Sequence, residues 1–303
     1  FVPGRMALAN YYVENKEFDS AVEQLTAALE FAPNDAEIYL LLGDTEVMRD
    51  NPAKAKEYFE SASKEKGGEL AGLMRLGNLS LKENKLGDAL KYFEKAGKDF
   101  PEAPQPAEGK LLALLQQRKG KDAYDWAVKR AKDRANDPNA QELASRVSMM
   151  AGKPKDAEEY LQKAIKLDPN SPVPLTRLAM LYLQVDRRTD AIKLLRDNLA
   201  KFPPLELTLA QILGEGKDAA ERAEAEKIYR KILGIEPRNV VANNNLADLM
   251  VQQYSDDPAK LKEARTLAER AAASGDPIAL DTLGWIQHLQ GENDAALIAL
   301  GKA

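Results

Sequence analysis

The chain has 303 residues, of which 44% are hydrophobic, 30% charged and 6% aromatic, and its 43 basic and 48 acidic side chains leave a net charge of −5. Without cysteine it can build no disulfide, thiol nucleophile, zinc finger or iron–sulfur cluster. With His288 as its one histidine it cannot build a multi-histidine metal site, and a Ser-His-Asp triad could form only around that residue. The mild acidity argues against a general nucleic-acid surface, no apolar run approaches the roughly 20 residues that span a bilayer, and the apolar fraction is enough for a large core.

Length alone predicts about two globular domains, but an internal repeat overrides that expectation. The segments Phe31-Ala32-Pro33, Phe100-Pro101, Asp168-Pro169, Phe202-Pro203 and Glu236-Pro237 are separated by multiples of 34 residues. Rows of 34 then start at Val2, Ala36, Leu70, Pro104, Pro138, Pro172, Glu206 and Val240, with an incomplete ninth from about Pro277.

In chain order, each row predicts a first helix, a turn and a second helix. The turns include Arg49-Asp50-Asn51-Pro52, Ala151-Gly152-Lys153-Pro154 and Asp256-Asp257-Pro258, where Asn51 and Asp257 are expected to cap second helices that carry proline in the first turn. Row four departs most, with Ala107, Lys110 and Leu111 in place of large, apolar and small residues. Pro101, Pro104 and Pro106 lie just before or within its start, so residues 101–137 are expected to form a flexible joint. Gly214-Glu215-Gly216-Lys217-Asp218-Ala219 formally fits a dinucleotide fingerprint, but it follows a helical stripe and reads as an inter-helix turn. Row eight needs about five extra residues before Ala264, and row nine runs Leu280, Leu283, Gly284, Ala296, Leu300, Ala303.

The columns carry the physics. The seventh is Leu8, Leu42, Leu76, Lys110, Ala144, Leu178, Ile212 and Leu246, and the eighth is mostly small, as in Ala9, Gly43, Gly77 and Ala179. The twentieth is alanine seven times in succession: Ala21, Ala55, Ala89, Ala123, Ala157, Ala191 and Ala225. The twenty-fourth is bulky except at Ala127. Small residues at the eighth and twentieth places let two antiparallel helices approach closely while the larger neighbours fill the gaps.

This pattern resembles the tetratricopeptide repeat family over essentially the whole chain. Rows two, three and six carry it best, as in Tyr39, Leu42, Gly43, Ala55, Phe59 and Ala62. The resemblance implies an all-α fold, a right-handed α-solenoid of about nine helix-turn-helix repeats with the last truncated, whose first helices line a concave face. The segment Asn243-Asn244-Asn245-Leu246-Ala247, with Ala264 to Ala271 and Leu280-Asp281-Thr282-Leu283-Gly284-Trp285, is similar to bacterial repeat proteins of PEP-CTERM and exopolysaccharide export systems. That likeness implies polysaccharide-export machinery as partner and a periplasmic or outer-membrane-associated location; otherwise the expectation is cytoplasmic. Phe1 is read as the start of a processed or excised piece.

Function is then expected to be binding. The second, fifth, ninth, twelfth and thirteenth places of each row face away from the second helix, and six of the seven methionines fall there: Met6, Met48, Met74, Met149, Met150 and Met180. Flexible, polarisable methionine suits an adaptable surface, although the last two places also pack against the next repeat, so a core role for some stays open. Asn10, Asn78, Arg146, Arg177, Asn244 and Asp248 complete the candidate concave-face set. Met6 stands where a chaperone-type carboxylate clamp would need lysine, and Arg75 is at best a partial substitute for the rest, so that clamp is not expected. Asn78-Leu79-Ser80 is a glycosylation sequon inside a helix and reads as accidental.

Charge is uneven. Residues 1–103 carry 13 basic and 19 acidic side chains, residues 104–205 carry 19 and 13, and residues 206–303 carry 11 and 16. The central rows are therefore expected either to attract an acidic partner or to present a solvated face, with Lys129, Arg130, Lys132 and Arg134 pointing outward. No catalytic residue, metal or cofactor is expected. The reading is a non-enzymatic scaffold for protein or peptide partners, the alternative a chaperone-like module holding apolar peptides in a methionine-lined groove.

Overall fold

A computed structural model describes residues 1–303 and contains helices and no strand. In order they are α1 (Val2–Glu14), α2 (Phe18–Leu29), α3 (Ala36–Met48), α4 (Pro52–Ala62), α5 (Glu69–Lys82), α6 (Leu86–Asp99), α7 (Gln105–Gln116), α8 (Gly120–Asp133), α9 (Pro138–Met150), α10 (Pro154–Leu167), α11 (Val173–Gln184), α12 (Arg188–Asn198), α13 (Leu205–Gly214), α14 (Ala219–Ile235), α15 (Val240–Tyr254), α16 (Pro258–Ala272), α17 (Pro277–Leu289) and α18 (Asn293–Leu300). These 18 helices make nine successive pairs, an α-solenoid class of fold. The chain divides into two compact units, Phe1–Ala157 and Glu158–Ala303.

In the first seven pairs the second helix turns its twentieth-column alanine inward. Ala21, Ala55, Ala89, Ala123, Ala157, Ala191 and Ala225 are all fully buried. The eighth column explains itself against the twenty-fourth: a Cβ on Gly43 would lie 2.3 Å from the Phe59 ring, and one on Gly77 would lie 2.4 Å from the Phe93 ring. In row four the same task passes to Gly109, whose Cβ would meet Phe93 from the next first helix at 2.5 Å. Phe93 is thus packed against glycine on α5 and again on α7. Lys110 is half-buried, its ammonium reaching Glu94 Oε1 at 2.6 Å and lying 5.1 Å from the Trp126 ring centre.

The turns repeat as faithfully as the cores. Lys16, Asp50, Asn84, Arg118, Gly152 and Asp186, one per row, all adopt left-handed φ values between 57° and 69°. The residue after each donates its N–H back into the first helix: Glu17 to the Tyr12 carbonyl, Asn51 to Glu46, Lys85 to Ser80, Lys119 to Leu114, Lys153 to Ser148 and Arg187 to Tyr182, at 2.7–3.0 Å. This is the C-terminal helix stop in which a left-handed residue lets a later N–H satisfy an otherwise orphan carbonyl.

Two sequence expectations are corrected. Asp257 caps α16 by accepting from the N–H groups of Ala259 and Lys260, but Asn51 makes no side-chain cap to α4; Pro52 alone marks that start. Leu8, expected in the core with the rest of its column, is exposed, whereas Leu42 of the next row is buried in one cluster with Ala21, Leu25 and Ala28 of α2.

The odd-numbered helices stand closer to one another than the even ones. α5 touches α7 in the first unit, α15 touches both α13 and α17 in the second, and no even–even pair packs as closely. We refer to the side on which these first helices meet as the inner face of each unit.

Candidate functional site

Two cavities open on that inner face, one in each unit. The first, about 470 Å³, is lined from α5 by Met74 and Asn78, from the start and body of α7 by Pro104, Gln105, Glu108, Gly109, Leu111, Leu112 and Leu115, and from α9 by Arg146. It is mainly apolar. Met74 is half-buried against Ala89, Phe93 and Ala113, so it packs on the core while it also lines the cavity. Leu112 is exposed although it belongs to a well-formed helix. Glu108 and Arg146 are the charged members of this lining: Arg146 Nη1 donates to both carboxylate oxygens, at 2.6 and 2.7 Å.

Three of the residues expected from sequence, Met74, Asn78 and Arg146, are brought together here. Glu108, Gln105 and Leu112 were not singled out, although they occupy the fifth, second and ninth places of row four, where the column rule puts groove residues. The column rule alone reaches these three positions, although the core stripe of the same row is poor.

The second cavity, about 220 Å³, is polar. Gln211, Gly214 and Glu215 line it from α13 and its end, Tyr229 from α14, and Asn245, Asp248, Leu249 and Gln252 from α15. Asp248 accepts from Gln252 Nε2 at 2.7 Å. Asp248 opens to solvent on one side, yet the surrounding protein thins the water about its carboxyl and raises its pKa, with the Gln252 bond pulling the other way. Burial likewise pushes the Tyr229 hydroxyl up to about 12, opposed by a hydrogen bond from Asn245. Asn245 is in turn held by Asn244, whose Nδ2 donates to Asn245 Oδ1 at 3.2 Å.

The other expected residues lie elsewhere. Met6 packs against the core of the first pair, and Met48 borders a depression at the turn end beside Phe18, Arg49 and Asp50. Asn10, Met150, Arg177 and Met180 are exposed and Met149 half-buried, outside both cavities. Arg75 is engaged internally, its Nε 2.9 Å from each Asp44 carboxylate oxygen. His288 lies against Trp285 and 2.9 Å from Asn293 Oδ1. Gly214–Ala219 forms the turn into α14, with Asp218 capping that helix at the Ala220 N–H. Much of the central positive charge is already paired: Arg134 with Asp137 at 3.2 Å, Arg187 with Glu158 at 2.8 Å, Arg188 with Glu221 at 2.6 Å and Arg196 with Glu224 at 2.6 Å.

No group of three or more His, Cys, Asp or Glu side chains is placed to hold a metal ion, and no helix is long and apolar enough to cross a membrane.

Tetratricopeptide-repeat family profiles match residues 2–45, 118–172 and 148–213. No curated protein matches by sequence. Among solved structures, yeast Tom70 is similar with a TM-score of 0.50 at 16% identity, covering 98% of this chain and 90% of that one. PilF of Pseudomonas aeruginosa is similar with a TM-score of 0.43 at 18% identity, covering 67% and 92%. The P58(IPK) tetratricopeptide-repeat domain gives 0.34 at 18% identity, covering 96% and 98%. At these identities the likeness to Tom70 concerns the fold alone.

Proposed function

We infer that this chain, which carries tetratricopeptide repeats at residues 2–45 and 118–213, is a protein-interaction scaffold that takes a peptide segment of its partner on the inner face of its first helices. The observation that supports this most is the cavity of α5, α7 and α9. An apolar floor of Met74, Leu111 and Leu112, with Glu108, Arg146 and Asn78 around it, suits one apolar anchor side chain plus polar contacts to the segment that bears it. Nothing in the cavity combines a nucleophile with a base, so its chemistry is that of recognition.

The C-terminal resemblance supports a setting in bacterial exopolysaccharide export, with export machinery as partner. A second reading, a chaperone-like holder of many apolar segments, is favoured by the adaptable Met74 side chain in the same cavity.

A photo-crosslinking residue at Leu112 tests these readings, with the same residue at Lys91, which is exposed on α6, as control. A partner peptide should be captured from Leu112 and not from Lys91, and capture should be lost in Met74→Lys and in Leu112→Asp while helicity is retained. Equal capture from Lys91, or undiminished binding in both variants, would remove the inner-face reading. One dominant partner supports the scaffold, and export machinery recovered as that partner supports the envelope setting. Many unrelated apolar segments support the holder.

A further inference from the structure

The polar cavity of the second unit has an electrostatic imbalance. Two carboxylates, Asp248 and Glu215, line it and no cationic side chain does. Neither makes an ion pair, whereas acidic side chains elsewhere on this unit, such as Glu221, Glu224 and Glu263, are bound by arginine. Arg188, whose charge Glu215 feels, is committed to Glu221 and to the Ile212 carbonyl. Asp248 has only the neutral amide of Gln252 as partner and ionises reluctantly, as expected of a partly desolvated carboxyl with no counter-charge.

Asn245, Tyr229 and Gln252 are held in a definite orientation. The relay from Asn244 to Asn245 to the Tyr229 hydroxyl turns the Asn245 NH₂ toward the phenol, which belongs to a nearly fully buried side chain. Gln252 spends its NH₂ on Asp248 and keeps its carbonyl oxygen as an acceptor. The cavity thus offers a ligand two carboxylates and the Gln252 carbonyl oxygen, beside the Tyr229 hydroxyl and the Gln211 amide. Its volume of about 220 Å³ is several times the roughly 30 Å³ share of one water molecule.

We propose that this cavity is a lysine subsite, in which the side-chain ammonium of a partner peptide donates to Asp248, Glu215 and the carbonyl oxygen of Gln252 while its methylene stem lies on Leu249. An ammonium carries three donors and no acceptor, which matches this set. The proposal rests on the inner face being a peptide-binding face, and it adds a second anchor of opposite character to the apolar one in the first unit.

The test uses the full chain labelled with ¹⁵N and two small probes, N-acetyl-lysine amide and its uncharged isostere N-acetyl-norleucine amide. The lysine probe should shift the backbone amides of Gly214, Asn245 and Asp248 saturably, the norleucine probe should not, and Asp248→Asn should weaken the response at least fivefold. Glu215→Gln provides the same comparison should Asp248→Asn lose its native amide dispersion. Absence of saturable shifts, an equal response to norleucine, or undiminished binding in both folded variants would overturn the subsite. Putrescine is the third probe, and tighter binding of this free diamine than of the lysine amide would overturn the assignment to a peptide side chain. These probes do not enter the Leu112 crosslinking assay, so failure of the subsite and failure of the inner-face reading on which it rests are told apart.

Discussion

Arg146 on α9 clasps Glu108 on α7, its Nη1 2.6 and 2.7 Å from the two carboxylate oxygens across 38 residues of sequence. The pair borders the apolar cavity and is partly open to water. An exposed pair of this kind contributes about 0–1 kcal/mol to stability, so its larger consequence is to decide which charges meet an incoming segment. A double-mutant cycle with Arg146→Ala and Glu108→Ala should give a coupling energy below about 1 kcal/mol. The same variants should change partner binding and its salt dependence by more than they change the melting midpoint. A coupling well above that range, with binding unaffected, would make the pair a structural brace.

Ala89 and Gly77 sit where α5 and α6 touch, with the Phe93 ring between them and α7. Ala89→Leu should overpack this crossing and cost about 1–3 kcal/mol. Gly77→Ala should act in the same direction, because the ring it would strike is itself buried on both sides. Urea unfolding monitored by circular dichroism reads both, and an unchanged midpoint for either would contradict the packing described.

Two glycines separate conformational from steric effects. Gly152 has φ +69° and open space around a would-be Cβ, so Gly152→Ala should destabilise by about 1–2 kcal/mol through backbone conformation alone. Gly87 lies in the first turn of α6 with equally open space and an ordinary φ, so Gly87→Ala should stabilise by up to about 1 kcal/mol. Thermal midpoints moving the same way in both variants would refute the distinction.

Asp248 predicts a pH-dependent term. Its carboxyl holds a proton more tightly in the folded chain than in the unfolded one, so ionising it costs stability. That cost is absent below the ordinary carboxylate range and complete above the raised folded value. Asp248→Asn, which can still accept from Gln252, should therefore raise the melting midpoint at neutral pH and leave it unchanged near about pH 3. Melting curves at the two pH values check this, and a variant less stable at neutral pH would show that the carboxylate is favourably held.

Within the first unit, α7 and α8 pack against each other less closely than α1 with α2, α3 with α4 or α5 with α6. Small Ala127 stands where Phe59 and Phe93 fill the earlier pairs, and Lys110 stands where leucine does. Amide hydrogen exchange should accordingly be fastest in residues 101–137 among the helices of this unit. Protection there equal to that of α5 and α6 would remove the joint.

Much of this architecture was legible in the amino-acid sequence, because helix pairing is set by local spacing. A 34-residue period with alanine at the twentieth place and a small residue at the eighth leaves one way for neighbouring helices to approach, and Ala21 through Ala225 are buried as that period requires. What the period could not convey was which positions answer to a neighbouring pair. Leu8 matches Leu42 in column yet is exposed, while Leu42 is buried against Ala21, Leu25 and Ala28 of the pair before it, and Gly109 takes over a contact that its column does not name.

The candidate sites divide in the same way. Column position alone predicts Met74, Asn78 and Arg146 for the inner face. That they share a cavity with Glu108, and that Asp248 and Glu215 face a polar cavity without a cation, depends on side chains 30 to 72 residues apart in sequence meeting across separate helices. Periodicity fixes direction along one helix; distance and charge balance between helices exist only once the pairs have stacked.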